Sequence, residues 1–230
     1  MYTTLMYYST AYIMIPVFIF ALICQARVKS NFKKYSQVIS KTGMTGADAA
    51  WRLLQLNGIT DVKIRKISGN LTDHYNPSTN EICLSENVYN SRSIAAIGVA
   101  CHEAGHACQY AQGYVPIKIR SAVIPATQIG SSLGIPLCLV GLIINSEILA
   151  MIGVVLYSLV AVFQLITLPV EFNASHRALQ TIEENGFLDE QEFKGAKKML
   201  AAAAMTYVAA LASALGSLFR LLVVASGDRR

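Results

Sequence analysis

His102, Glu103 and His106 are the residues whose types and spacing point to chemistry. Positions i and i+4 of a helix share a face roughly 6 Å apart, so both imidazoles can reach one Zn²⁺ at about 2.0–2.1 Å. Glu103, between them, then stands beside the open coordination position. From there it can act as general base, taking a proton from water that zinc has acidified to a pKa of about 7 and passing it to a leaving amine. The expected cofactor is one Zn²⁺ per chain. A five-residue pattern of this kind also occurs as a solvated pair of histidines, so the rest of the chain has to supply a third ligand and a scaffold.

A catalytic zinc takes three protein ligands and keeps a fourth position for water. The one histidine after His106 is His176, at long spacing. Glu171 is the stronger candidate, because it opens a helical-looking segment, residues 171–178, directly after Pro169. Asp73 and His176 remain the alternatives, and a plain interfacial charge is the bland reading of Glu171.

The elements that must position these residues are mostly membrane-crossing. The chain is 53% hydrophobic and 14% charged, and residues 5–24, 121–146, 148–170 and 199–219 contain no Asp, Glu, Lys or Arg. Each run has about the 20 residues that span a bilayer, which predicts a multi-pass protein of the cell membrane. The first run lacks a basic flank and a small-residue cleavage site, so it reads as a retained anchor rather than a signal peptide. Most of the 19 Lys and Arg residues fall after the first and third runs. The positive-inside rule puts those segments in the cytoplasm, and the turn Asn145-Ser146-Glu147 and both termini outside, although Arg229 and Arg230 run against this. Two runs separate His106 from Glu171, so both return to the same face. The net charge of +5 follows from this asymmetry towards lipid, and no nucleic-acid partner is needed to explain it.

The expected organisation is an anchor over residues 1–24, a catalytic domain over 25–120, a helical hairpin over 121–170, a cytoplasmic helical segment over 171–198 that carries the third ligand, and a last span over 199–226. Within residues 25–120, Thr45 to Asp48 read as a capping box opening a helix that stops at Asn57-Gly58. Runs 62–67, 71–75 and 81–84 read as strands. Ser91 or Ser93 then caps a buried helix through His106 towards Gly113. An edge strand beside such a helix can lay an extended peptide across zinc, and Glu81, Ile82, Cys83 and Leu84 are the candidate substrate strand. The five cysteines form no C-x-x-C pair and read as reduced, buried thiols.

Four stretches occur in order that carry a family resemblance. They are Asp73-His74-Tyr75-Asn76-Pro77, Ala100 through Ala107 around the two histidines, Leu168-Pro169-Val170-Glu171-Phe172-Asn173-Ala174-Ser175, and Ala204-Met205-Thr206-Tyr207-Val208-Ala209-Ala210. With them the chain resembles the YugP-type neutral zinc metallopeptidases, bacterial membrane proteins, and more distantly the gluzincins. The resemblance implies His102, His106 and Glu171 as zinc ligands and Glu103 as general base. Gluzincins commonly carry an Asp four residues after the ligand Glu, bonded to a zinc-bound histidine. Here Ser175 stands at that position, and Asp73 could substitute for it. His74, Tyr75 and Tyr207 have the chemistry of an oxyanion donor.

The expected fold is an α+β zincin-like cytoplasmic domain combined with about four transmembrane α-helices, mostly α overall. The expected activity is zinc-dependent endopeptidase action at the cytoplasmic membrane face, on unfolded or membrane-associated polypeptide. A catalytically inactive zinc-binding membrane scaffold is the alternative, and Ser175 is compatible with it. A metal transporter is disfavoured, because its ionisable residues should lie within the spans.

Overall fold

The structure, a computed structural model, describes residues 2–226; Arg229 and Arg230 of the charge analysis lie outside them. In chain order the elements are α1 (Tyr2–Tyr35), α2 (Gly46–Leu56), β1 (Lys63–Ile67), β2 (His74–Asn76), β3 (Glu81–Ser85), α3 (Glu86–Tyr89), α4 (Ile94–Ala111), α5 (Val115–Ile143), α6 (Glu147–Glu184) and α7 (Glu190–Ser226). The protein is mostly helical with one small sheet, and α1, α5, α6 and α7 are long and apolar enough to cross a membrane. These helices do not stop where the apolar runs stop. Pro169 sits inside α6 without breaking it, because a helix keeps its own backbone bonds until a cap or glycine ends it.

The chain divides into two compact units. One comprises the segments up to Cys24, Ile119–Pro169 and from Thr206 on. In it α5 and α6 form a close hairpin. A Cβ on Gly130 would meet the carbonyl oxygen of Leu156 at 2.3 Å, and one on Gly153 would meet the Cys138 nitrogen at 2.3 Å, so only glycine allows this approach. Asn145 turns the hairpin at φ 54°, and the Ser146 hydroxyl accepts from Leu149 N–H.

The other unit comprises Gln25–Lys118 and Val170–Met205. Thr45 caps α2 through a complete capping box with Asp48, a contribution of about 1 kcal/mol. The hydroxyl of Ser93 accepts from Ala96 N–H and starts α4. Leu53 and Leu54 of α2, Ile82 and Leu84 of β3, Ile97 and Ala100 of α4, Ala178 and Ile182 of α6, and Ala196 and Leu200 of α7 close one apolar core. Each large side chain fully buried there contributes about 1.5–3 kcal/mol. The helix that bears the two histidines is thus enclosed on several sides.

The sheet corrects one expectation. Its order is β1-β3-β2, with β1 parallel and β2 antiparallel to β3. Glu81, Ile82 and Cys83 therefore lie between two partner strands, and Leu84 pairs with Lys66 of β1 and is fully buried, so this strand is not an open edge for a substrate backbone. The reason is burial: residues 82–85 are all buried, and a strand with no solvated face is drawn to the middle of a sheet. The edges are β1 and β2.

Candidate metal centre

His102 and His106 project from one face of α4, with ring centroids 4.8 Å apart and planes nearly perpendicular at 84°. Glu171, on α6, lies against both. Its Oε2 is 3.3 Å from His102 Nε2 and 3.4 Å from His106 Nε2. These separations exceed an ordinary N–H···O bond. They match the edge of a tetrahedron with bonds of about 2.0–2.1 Å, which is roughly 3.3 Å. The three donors are two imidazole nitrogens and a carboxylate oxygen, all within 4.8 Å of one another, and that set fits zinc. Glu171 is 2% exposed and His106 8%, so a divalent cation is the natural counter-charge for this buried cluster.

Gly105 makes the approach of α6 possible. A Cβ there would lie 2.7 Å from the Ala174 carbonyl oxygen, inside contact distance of a backbone that cannot yield. With a bare α-carbon at 105, the turn of α6 from Glu171 to Ser175 packs directly on the histidine turn of α4.

Both rings are anchored at their outer nitrogens. Ser175 Oγ lies 3.1 Å from His102 Nδ1, and Gln109 Oε1 lies 3.0 Å from His106 Nδ1. Burial alone would lower the pKa of His106. The Glu171 carboxylate and the nearby charge of Glu103 more than offset this and hold it above the ordinary imidazole value. The pocket therefore favours positive charge.

Glu103 is buried beside the ligands, and its Oε2 accepts a hydrogen bond of 3.0 Å from the backbone N–H of Tyr75 in β2. One carboxylate oxygen is thus fixed by the sheet edge.

Residues 10–226 match the sequence profile of a family described as "Putative neutral zinc metallopeptidase". The chain belongs to that family. A curated relative in Bacillus subtilis (strain 168), named "Putative membrane protease YugP", is 48% identical over 198 residues, covering 86% of this chain and 87% of its own length. No solved structure matches. Together with the four long apolar helices, this relationship makes the chain a membrane protein.

The remaining predicted residues of this metallopeptidase family member lie as follows. Asp73 is not on a histidine: its carboxylate accepts from Ser85 N–H at 2.7 Å and from the Ser85 hydroxyl at 3.1 Å, tying the approach to β2 onto the end of β3. His74 is exposed and donates from Nδ1 to the Thr72 carbonyl at 2.8 Å. The hydroxyl of Tyr75 donates to Asn80 Oδ1 at 2.7 Å, so this residue faces the centre with its amide and not with its phenol. His176 is exposed on α6. Tyr207, on α7, belongs to the other unit. Cys101 and Cys108 are buried in α4, where burial pushes the Cys108 thiol up to about 11 and Cys101 further still. Both stay protonated packing groups. The sequence reading missed Gln109 and Asn173. Gln109, three residues after His106 on the same helix, had a detectable signal in its i+3 spacing; Asn173, distant in the chain, had none.

Proposed function

We propose that this protein is a zinc-dependent endopeptidase of the membrane, with its centre on the cytoplasmic side. The observation that carries the reading is the trio His102, His106 and Glu171, with Glu171 Oε2 at tetrahedral-edge distance from both Nε2 atoms and all three donors within 4.8 Å of one another, and with the Glu103 carboxylate rising from the same turn of α4. His102 and His106 through Nε2 and Glu171 through Oε2 would hold one zinc ion. The chemistry that zinc supplies at such a centre is acidification of a water molecule and polarisation of a carbonyl.

The protein's own groups do the rest. Glu103, with Oε2 held by the Tyr75 amide, keeps Oε1 for the proton of an attacking water and returns that proton to the departing amine. His102 and His106, anchored at Nδ1, do not have to reorient during the reaction. The strand next to the centre is β2, and its outward Tyr75 N–H is used to hold Glu103, so β2 orients the general base and neither it at Tyr75 nor the buried β3 offers a free amide to a substrate backbone. Unfolded or membrane-associated polypeptide is the substrate class that fits such a centre in a membrane protein. The cytoplasmic assignment is supported by the concentration of basic residues in the segments that carry the ligands.

The test is Glu103→Gln in the purified protein. Retained zinc with loss of casein-type cleavage by about 10²–10⁴-fold is the expected result. Cleavage at the wild-type rate would end the general-base assignment, and zinc binding without any chelator-sensitive cleavage by the wild type would favour an inactive scaffold.

A further inference from the structure

We propose that Gln109, held in one orientation by Asn173 and Arg177, sets the tautomer of His106 and thereby the nitrogen that His106 presents to a metal. Gln109 is fully buried, and each polar atom of its amide has a partner. Its Nε2 lies 2.8 Å from the Val170 carbonyl oxygen and 3.0 Å from Asn173 Oδ1, and its Oε1 lies 3.0 Å from His106 Nδ1.

The chemistry of the partners fixes the direction of every bond. A guanidinium only donates, and Arg177 Nε meets Asn173 Oδ1 at 2.8 Å, so the oxygen of Asn173 faces inward and its nitrogen outward. That oxygen has a second lone pair, which requires a donor from Gln109. The Val170 carbonyl, which only accepts, makes the same demand. The nitrogen of Gln109 therefore points to α6 and its oxygen to His106. An amide oxygen only accepts, so His106 Nδ1 must carry a proton, and in the neutral ring that binds a metal the lone pair is then on Nε2, on the side of Glu171. The order is Arg177 to Asn173 to Gln109 to His106, with a group that cannot change protonation state at its far end. Arg177 is in turn steadied by the Gln112 side chain, whose Oε1 accepts from its NH1 at 2.5 Å.

His102 has no equivalent. Its Nδ1 meets the Ser175 hydroxyl, which can donate or accept, so Ser175 leaves the tautomer open. Gln109 is thus a positioning residue for one ligand and not the other, and the relay delivers to His106 the outer-nitrogen acceptor that a carboxylate supplies in other zinc sites.

The inference rests on the metal centre, not on peptidase activity, and its test reads zinc directly. Full-length protein labelled with ¹⁵N-histidine is loaded with zinc, and its dissociation constant is measured by chelator competition for wild type, Gln109→Met, Asn173→Asp and Asn173→Leu. Gln109→Met is expected to weaken zinc by about 10–100-fold and to move the His106 Nδ1–H resonance while that of His102 stays. Asn173→Asp keeps an acceptor for both Gln109 and Arg177, so it should lie nearer to wild type than Asn173→Leu does. Wild-type affinity in folded Gln109→Met would overturn the inference. Should that variant fail to fold, the wild-type spectrum decides: an exchange-protected His106 Nδ1–H supports the relay, and zinc ligated through Nδ1 refutes it. Failure of the wild type to bind zinc at all would sink the metal centre itself, a separate outcome.

Discussion

Gly105 shows how narrow the tolerances are at the scale of one residue. It carries no donor and touches no metal, yet a methyl group in its place would stand 2.7 Å from the Ala174 carbonyl oxygen, between the pair of histidines and the turn that brings Glu171. Gly105→Ala should push α6 away from α4, costing about 1–3 kcal/mol by overpacking and weakening zinc out of proportion to that loss, because ligand spacing moves with the helix. Thermal unfolding and chelator competition on the same preparation would separate the two effects. An unchanged zinc affinity would show that the helices can part without disturbing Glu171. Asp73 makes the opposite case. Its carboxylate serves Ser85 and no histidine, so Asp73→Ala should lower stability by about 1–3 kcal/mol through an orphaned, part-buried amide and leave zinc affinity alone. A drop in zinc affinity at unchanged stability would restore it to the ligand environment.

Among the elements, legibility followed local signals. The Thr45 to Asp48 box, the Ser93 cap and the Asn57-Gly58 stop are short-range features, and α2 and α4 lie where those signals put them. The strands appear near their predicted positions, but strand order depends on partners distant in sequence. Alternation and turn residues mark where Glu81 begins a strand and say nothing about which neighbours it acquires. Helix ends in the apolar segments were misread for a related reason: hydropathy reports where lipid-compatible side chains stop, whereas α6 runs on to Glu184 because nothing at Pro169 or Val170 caps it. At the site, the histidine pair and Glu171 were visible because metal chemistry restricts residue types. Gln109 offered only its i+3 spacing from His106 and Asn173 no signal at all, since an amide that orients a ligand looks like any polar residue until its partners are known. A test at this scale concerns β2. Tyr75→Pro removes the N–H that holds Glu103 while sparing the β3 side of the strand, so it should slow cleavage through kcat more than through zinc content. Equal kcat in a folded variant would mean that Glu103 is placed by α4 alone.

On the scale of the whole molecule, four helices among the described residues are long and apolar enough to cross a bilayer, and the basic residues argue for which sides their connections occupy. Reporter fusions should place the Asn145 turn outside and residues 25–118 inside; the reverse pattern would move the centre to the outer face. The chain order of the ligands has a further consequence. His102 and His106 come early and Glu171 late, with all of α5 and most of α6 in between. A nascent chain that has not yet been synthesised past Glu171 offers two ligands and no complete centre, however much zinc the cell holds. Under the proposed function, competence would therefore be scheduled by translation: a copy not yet made past Glu171 would hold no complete centre with which to cut its neighbours or itself.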